Sequence, residues 1–186
     1  IDWTIAEAKE RGMYVILDLH GALGGQTPND HTGCSGQNKY WTNTDYQDRT
    51  KWLWDMIAQR YNGRSAVAAY DLLNEPWGTD ATTLANRSYE LFNVVRAKDP
   101  TRIILLPGHN SGIDAYGNPN SRGLTNVSTW MHFYPGLWGW NDTAAYGAGQ
   151  ANMYANWLHC NPNGQGESCD WRNKITNNRR TAVKSC

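Results

Sequence analysis

The 186-residue chain lacks most of the features that reveal a partner or prosthetic group directly. Its 17 lysines and arginines balance 17 aspartates and glutamates, so no excess charge predicts binding to nucleic acid or to an anionic membrane surface. No apolar run approaches the roughly 20 residues of a membrane-spanning helix, which predicts a soluble protein. No Gly-x-Gly-x-x-Gly run follows a predicted strand, which argues against a dinucleotide site.

Cysteine is also scarce, with four residues at positions 34, 160, 169 and 186. They form no Cys-x-x-Cys pair and no paired-histidine motif accompanies them, so a metal site is not expected. A disulfide between Cys160 and Cys169 would close the polar loop that they flank. Asn-x-Ser/Thr sequons begin at Asn86, Asn126 and Asn141. Cysteines and sequons together predict an extracellular location.

Aromatic residues are the positive signal in the composition. Ten tryptophans and ten tyrosines occur beside only two phenylalanines. Tryptophan and tyrosine combine an apolar face with a polar edge, which suits stacking on sugar rings, although many such residues simply fill a core. The bias favours a carbohydrate-binding site.

The hydrophobic pattern predicts strands and helices in alternation. A strand that is apolar without interruption is typical of a sheet buried on both faces, and polar residues follow each predicted strand. The chain therefore predicts a parallel sheet of βα units, either a doubly wound sheet or a (β/α)₈ barrel, in which active sites lie at the carboxyl ends of the strands. Helices are predicted over residues 2–11, 45–61 and 83–98, and strands over 13–19, 66–73, 102–106 and 129–133.

Three motifs stand at the ends of these strands. They are Leu17-Asp18-Leu19-His20-Gly21 with Gly24-Gly25-Gln26, then Leu73-Asn74-Glu75-Pro76, then His132-Phe133-Tyr134-Pro135. In order and separation they resemble strands three, four and six of glycoside hydrolase family 5, which includes cellulases, mannanases and exo-β-1,3-glucanases. The resemblance implies a TIM barrel. Because a barrel needs about 250 residues, we expect residues 1–186 to be a partial catalytic domain that lacks both ends of the barrel.

The resemblance also implies roles for individual residues. Glu75 matches the general acid/base, a role that needs a carboxyl able to give and recover a proton. Asn74 matches the residue that binds the sugar 2-hydroxyl, and His20 matches a histidine lining the subsite. His132 and Tyr134 match the pair that orients the nucleophile. Further candidates for sugar platforms, for which a core role is equally compatible with the sequence, are Trp138, Trp140, Trp41 and Trp77. For His109, which also follows a strand, we favour a structural role.

A retaining enzyme needs a second carboxylate as nucleophile, about 5–5.5 Å from the first. The family carries it at the end of strand seven, and Glu167 is the nearest textual match. However, Glu167 follows a run of asparagine, proline and glycine that cannot form a buried strand. We therefore expect the nucleophile beyond Cys186.

The sequence leads to one principal hypothesis about function. It predicts an endo-β-1,4-glucanase of the cellulase type, acting on β-glucan as a monomer, without metal or organic cofactor and without nucleic-acid or membrane partners. Two alternatives stay open. In the first, the enzyme is an exo-β-1,3-glucanase or β-mannanase of the same family. In the second, the chain is a truncated, inactive carbohydrate-binding protein.

Overall fold

A computed structural model describes residues 1–33, 35–108 and 113–130. Among them, four strands form one parallel sheet, and each strand pairs with the next in the chain. In chain order the elements are α1 (Asp2–Glu10), β1 (Val15–Asp18), α2 (Thr44–Tyr61), β2 (Val67–Asp71), α3 (Ala81–Lys98), β3 (Ile103–Pro107) and β4 (Val127–Trp130).

The predicted parallel sheet and its βα order are confirmed. Helix boundaries follow local capping: Asn43 precedes α2 and its side chain accepts a hydrogen bond from the Tyr46 backbone N–H, while Asp80 does the same for Thr83 at α3. The Thr83 hydroxyl is the main reason that the pKa of Asp80 is lowered.

The connection between β3 and β4 departs from the βα pattern. In its described part it contains two short 3₁₀ turns, Ile113–Tyr116 and Pro119–Arg122, and no α-helix. Strand β4 begins two residues before the predicted position, and the rest of the predicted strand, residues 131–133, lies outside the described residues.

The two faces of the sheet differ in burial. On the face toward the helices, Tyr70, Ile104 and Leu106 are fully buried against residues of α2 and α3. On the opposite face, where Ile16, Ala69 and Ile103 share a row, Ala69 in the middle is buried, but Ile16 is 53% and Ile103 47% exposed. The core of the described residues therefore lies between sheet and helices. Among these residues, no helix combines the length and apolarity needed to cross a membrane.

A buried carboxylate fastens the amino-terminal end of the sheet. Asp99, completely buried after α3, accepts hydrogen bonds from the Tyr70 hydroxyl at 3.1 Å and from Nε of Arg102 at 3.0 Å. Arg102 also donates to the backbone carbonyls of Val67 and Tyr61. One ion pair thus connects β2, the start of β3 and the ends of both long helices, and its buried charge is paired as burial requires.

We expect Tyr70→Phe to lower the free energy of unfolding by about 1–3 kcal/mol, because it removes a hydrogen bond to a buried charged group. Urea denaturation measures the change. Tyr14→Phe is the matched control, since Tyr14 is 76% exposed and its hydroxyl lies at the surface; it should stay within about 0.5 kcal/mol of the parent.

The Tyr70→Phe variant also tests the titration of the Tyr70 hydroxyl group. Burial, reinforced by the Asp99 carboxylate, raises the pKa of Tyr70 above its ordinary value of 10.0. The folded state holds this proton more tightly than the unfolded chain, so the contribution to stability is complete below pH 10 and is lost as pH rises further. Tyr70→Phe should therefore lose less stability than the parent between about pH 9 and about pH 11. Equal losses would contradict this assignment.

Candidate active site

Glu75 lies in the turn that follows β2, at the carboxyl end of the sheet. Its side chain is 14% exposed, and its backbone has a φ of +39°, a left-handed conformation that side chains other than glycine rarely adopt. Strain of this kind is maintained only where surrounding structure enforces it, and it is concentrated at functional positions. The turn thus directs a largely buried carboxyl toward the edge of the sheet where polar residues meet.

Three polar side chains form a chain of contacts at this edge. Nδ1 of His20 lies 2.7 Å from Oδ2 of Asp18, and Nε2 of His20 lies 3.4 Å from Nδ2 of Asn74. Asp18 can only accept, so His20 carries hydrogen on Nδ1 and its Nε2 accepts from the Asn74 amide. Because the side-chain amide is planar, this contact also fixes the direction of Oδ1 of Asn74, while the backbone N–H of Asn74 is held by the Leu19 carbonyl at 3.0 Å.

The Gln26 side chain connects the ends of β1 and β2. Completely buried, it donates from Nε2 to the carbonyls of His20 and Asn74 at 3.0 and 2.8 Å, and its Oε1 accepts from the Ala22 N–H at 2.9 Å. Its backbone carbonyl accepts from the Trp77 N–H at 3.0 Å. Every polar atom of the amide group is therefore used to hold the two segments that carry His20 and Glu75.

The loop after β1 brings a second histidine to Glu75. His31 lies in a 3₁₀ turn over Asp30–Thr32, and its Nε2 is 3.2 Å from Oε2 of Glu75. The turn is closed by the Gly33 N–H donating to the Asp30 carbonyl at 2.9 Å. The imidazole is about one-third exposed, with a relative side-chain exposure of 30%. Glu75 thus contacts a residue of a loop that lies 44 positions earlier in the sequence.

The predicted site residues that fall within the described part of the chain converge. His20, Asn74 and Glu75 lie together at the carboxyl ends of β1 and β2. Trp77 follows them and is 42% exposed, as a sugar platform requires. The other predicted residues, His132, Tyr134, Trp138, Trp140, His109 and Glu167, lie outside the described residues.

Trp41 is in the core, which decides between the two roles that the sequence left open. It is 8% exposed, and its indole N–H donates to the Gln26 carbonyl and to Oδ1 of Asn38, both at 3.1 Å. A ring whose N–H is satisfied inside the protein and whose faces are covered cannot stack on a sugar. Trp41 instead supports the loop that carries Gln26.

Sequence reasoning assigned no role to Gln26, Asp18 or His31. Gln26 and Asp18 belong to motifs already singled out, but nothing local shows that a loop glutamine is buried. Asp71, at the end of β2, was also missed; its Oδ1 accepts from the Trp130 indole at 2.6 Å. Contacts between residues this far apart in sequence have no local signature.

The arrangement combines a carboxyl able to exchange a proton with donors and acceptors suited to hydroxyl groups. Glu75 can protonate an oxygen atom at the edge of the sheet, while Asn74 and His20 present amide and imidazole groups beside it. Among the described residues, no group of three or more histidine, cysteine, aspartate or glutamate side chains could hold a metal ion.

Comparison with known proteins identifies close counterparts. The family model described as cellulase (glycosyl hydrolase family 5) matches residues 1–182. A β-xylosidase of Phanerodontia chrysosporium is 34% identical over 137 residues, covering 72% of this chain and 29% of the relative. A glucan 1,3-β-glucosidase of Blumeria graminis is 33% identical over 141 residues, covering 72% of this chain and 31% of the relative. The major extracellular endoglucanase of Xanthomonas campestris is 38% identical over 117 residues, covering 58% of this chain and 22% of the relative.

Solved structures agree on the fold. The catalytic domain of a Thermobifida fusca endoglucanase matches with a TM-score of 0.51 at 24% identity, covering 72% of this chain and 41% of its own. A β-glucanase from Saccharophagus degradans matches with a TM-score of 0.52 at 23% identity, covering 72% and 40%. The fold is therefore part of a (β/α)₈ barrel, as predicted. The chain spans about a third or less of the length of these curated relatives.

Replacing Gln26 by Met should lower the free energy of unfolding by about 3 kcal/mol, because three hydrogen bonds of roughly 1 kcal/mol each are lost from a buried position. Urea denaturation gives the total, and amide exchange of residues 22–26 and 74–77 should accelerate locally. Gln37→Met is the control, since Gln37 is exposed. If the two variants were equally stable, Gln26 would not hold the strand ends together.

Relief of backbone strain should reverse, at Glu75, the usual order of stability between an alanine and a glycine variant. We expect Glu75→Gly to be more stable than Glu75→Ala by about 1 kcal/mol, because glycine adopts a φ of +39° without a Cβ clash. At Glu90, inside α3, the alanine variant should instead be more stable than the glycine variant by a similar amount. Thermal denaturation of the four variants tests this, and the same order at both positions would contradict it.

Proposed function

Because the chain belongs to glycosyl hydrolase family 5, we propose that the protein is a retaining glycoside hydrolase acting on a β-linked polysaccharide, with Glu75 as its general acid/base. The observation that carries the proposal is the meeting of Glu75, Asn74 and His20 at the carboxyl edge of a parallel sheet. In a (β/α)₈ barrel this is the edge where catalysis takes place.

The chemistry requires two carboxyl groups. In the first step Glu75 gives its proton to the glycosidic oxygen as the bond from that oxygen to the anomeric carbon breaks, and a carboxylate nucleophile bonds to the same carbon. In the second step the Glu75 carboxylate removes a proton from water, whose oxygen displaces the nucleophile. We propose that Asn74 binds the sugar 2-hydroxyl and that His20 lines the subsite. The nucleophile stays a sequence prediction, at a position beyond Cys186 or at Glu167.

Within the family, we propose endo-β-1,4-glucanase action on β-glucan. The description of the family model as cellulase and the 38% identity to the Xanthomonas endoglucanase support it. Exo-β-1,3-glucanase action is the second candidate, because the 33% identity to the Blumeria glucan 1,3-β-glucosidase extends over more of the chain. The similar match to a β-xylosidase adds xylosides to the substrates worth testing, and β-mannan follows from a mannan endo-1,4-β-mannosidase of Aspergillus aculeatus, 24% identical over 161 residues.

The setting of the enzyme is also part of the proposal. We expect a monomer that works outside the cell and binds neither nucleic acid nor membrane. The balance of charges and the name of the Xanthomonas relative as extracellular support this expectation.

The substrate is tested on the natural full-length protein with carboxymethylcellulose, laminarin, mannan and xylan, by release of reducing sugar. Proton NMR of the first product should show the β-anomer before mutarotation, since retention passes through a glycosyl-enzyme intermediate. No release from any of the four would favour an inactive carbohydrate-binding chain, and an α-anomer would refute retention.

Glu75→Gln should lower kcat/KM on the preferred polysaccharide by about 10²–10⁴-fold, the usual contribution of general acid catalysis. Binding should persist, because the amide is isosteric with the carboxyl group; affinity electrophoresis in the same polysaccharide measures it. Glu90→Gln, a change of the same kind on helix α3, is the control. Hydrolysis of unactivated glycan by Glu75→Gln at the parental rate would remove Glu75 from the role.

A further inference from the structure

We infer that Asp18 is a positioning residue that acts through His20 on Asn74, and thereby on the contact of Asn74 with the sugar 2-hydroxyl. The inference rests on the proposed function, which gives Asn74 that contact. It assigns a part in the reaction to the last residue of β1, which the sequence motif contains but leaves without a role.

The backbone of Asn74 is held from both sides, so its side chain is the part that can still rotate. The Asn74 N–H donates to the Leu19 carbonyl at 3.0 Å, and the Asn74 carbonyl accepts from Nε2 of Gln26 at 2.8 Å. Two torsion angles then decide where the side-chain amide points. The contact between Nε2 of His20 and Nδ2 of Asn74, at 3.4 Å, restricts both angles.

The contacts of the His20 ring fit one arrangement of its hydrogens. Nδ2 of Asn74 is a donor only, so the Nε2 atom that faces it must accept. A ring that accepts at Nε2 is neutral and carries its hydrogen on Nδ1, where the hydrogen needs an acceptor. Oδ2 of Asp18, 2.7 Å from Nδ1, is that acceptor. A hydrogen on Nε2 would instead set two donors against each other.

The sheet itself places the Asp18 carboxylate. Asp18 is the last residue of β1 and pairs with Asp71 of β2 in the parallel register. Residues two apart along a strand project to the same side, and the His20 ring lies against Asp18 accordingly. The backbone carbonyl of His20 is anchored separately, by Nε2 of Gln26 at 3.0 Å. The position of the strand is therefore transmitted through two side-chain contacts to the amide of Asn74.

Removing the charge of Asp18 would release the choice of tautomer. An amide at this position can accept the hydrogen of Nδ1 or donate one to Nδ1, so Asp18→Asn no longer dictates which ring nitrogen carries the hydrogen. With the hydrogen on Nε2, the Asn74 amide must rotate away from the ring. Its contact with the 2-hydroxyl, which is of the kind that strengthens in the transition state, is then lost.

A pair of substrates isolates the contact with the 2-hydroxyl. In the natural full-length protein, kcat/KM is measured on 4-nitrophenyl β-cellobioside and on its analogue without the 2-hydroxyl group on the ring that carries the nitrophenyl group. The corresponding laminaribiosides replace them if laminarin is the preferred polysaccharide. The ratio of the two values reports this contact, because a general loss of structure lowers both values together. Asn74→Ala is the reference, and Asp48→Asn on α2 is the matched control, since the Asp48 side chain is 68% exposed.

We expect Asn74→Ala to remove most of the preference for the substrate with the 2-hydroxyl. Asp18→Asn should lower the ratio at least about tenfold, in line with the value of a single hydrogen bond, and should stay near the parent on the 2-deoxy analogue. Asp48→Asn should keep both values. Melting temperatures of the variants verify that they are folded.

The state of the imidazole is tested independently of activity. Long-range proton–nitrogen NMR spectra of the full-length protein distinguish a ring nitrogen that carries hydrogen from one that does not, and the His20 signals are assigned by their absence from His20→Gln. The parent should carry the hydrogen on Nδ1, and Asp18→Asn should show it wholly or partly on Nε2. A hydrogen on Nε2 in the parent, or an unchanged ring in Asp18→Asn, would overturn the inference.

The outcomes separate this inference from the proposed function. If Asn74→Ala leaves the ratio unchanged, Asn74 does not bind the 2-hydroxyl, and that part of the proposed function is wrong together with the inference. If Asn74→Ala removes the preference but Asp18→Asn matches the parent, or loses equally on both substrates, the proposed function stands and Asp18 does not position the amide.

Discussion

The site depends on the buried amide of Gln26. Backbone hydrogen bonds join β1 to β2 and continue just past both strands, to the bond from the Asn74 N–H to the Leu19 carbonyl; beyond that point the two segments must diverge or be tied by side chains. One glutamine satisfies both carbonyls, of His20 and Asn74, that the ladder leaves unpaired. An unsatisfied buried carbonyl is costly, so this amide stabilises the local fold and sets the spacing between the segments that carry His20 and Glu75.

Strain and support are arranged around Glu75 in a complementary way. Its left-handed backbone raises the energy of the turn, whereas Gln26 on one side and the contact with His31 on the other lower it. At the opposite end of the sheet, the Asp99–Arg102 ion pair keeps β2 and β3 in register without approaching the site. The sheet is thus anchored at both ends, by Gln26 at the edge that carries Glu75 and by the ion pair at the other, and this support enforces the unfavourable conformation of the turn.

Much of the framework could be predicted from sequence because its causes are local. Uninterrupted apolar runs and helical periodicity give β1, β2 and β3 and the three helices, and Glu75 is marked by its motif after a strand. The roles of Trp41 and Gln26 could not be predicted, since burial of a loop residue depends on what packs over it. His31 was missed for a related reason: its partner is 44 positions away in the numbering of the chain, and no periodicity joins a loop to a turn.

The order of the strands also has a consequence for the path of folding. Each strand pairs with the strand before it, so the sheet grows by adding one unit to an existing edge, and each pairing closes a long crossover connection. The loop that carries His31 lies within the first of these connections. Its anchor, the Asn74 carbonyl, comes 48 residues after Gln26, so on a growing chain the loop is left without this tether until the second strand and its turn have been synthesised. The turn that carries Glu75 and the loop held to it by Gln26 therefore become ordered in one event.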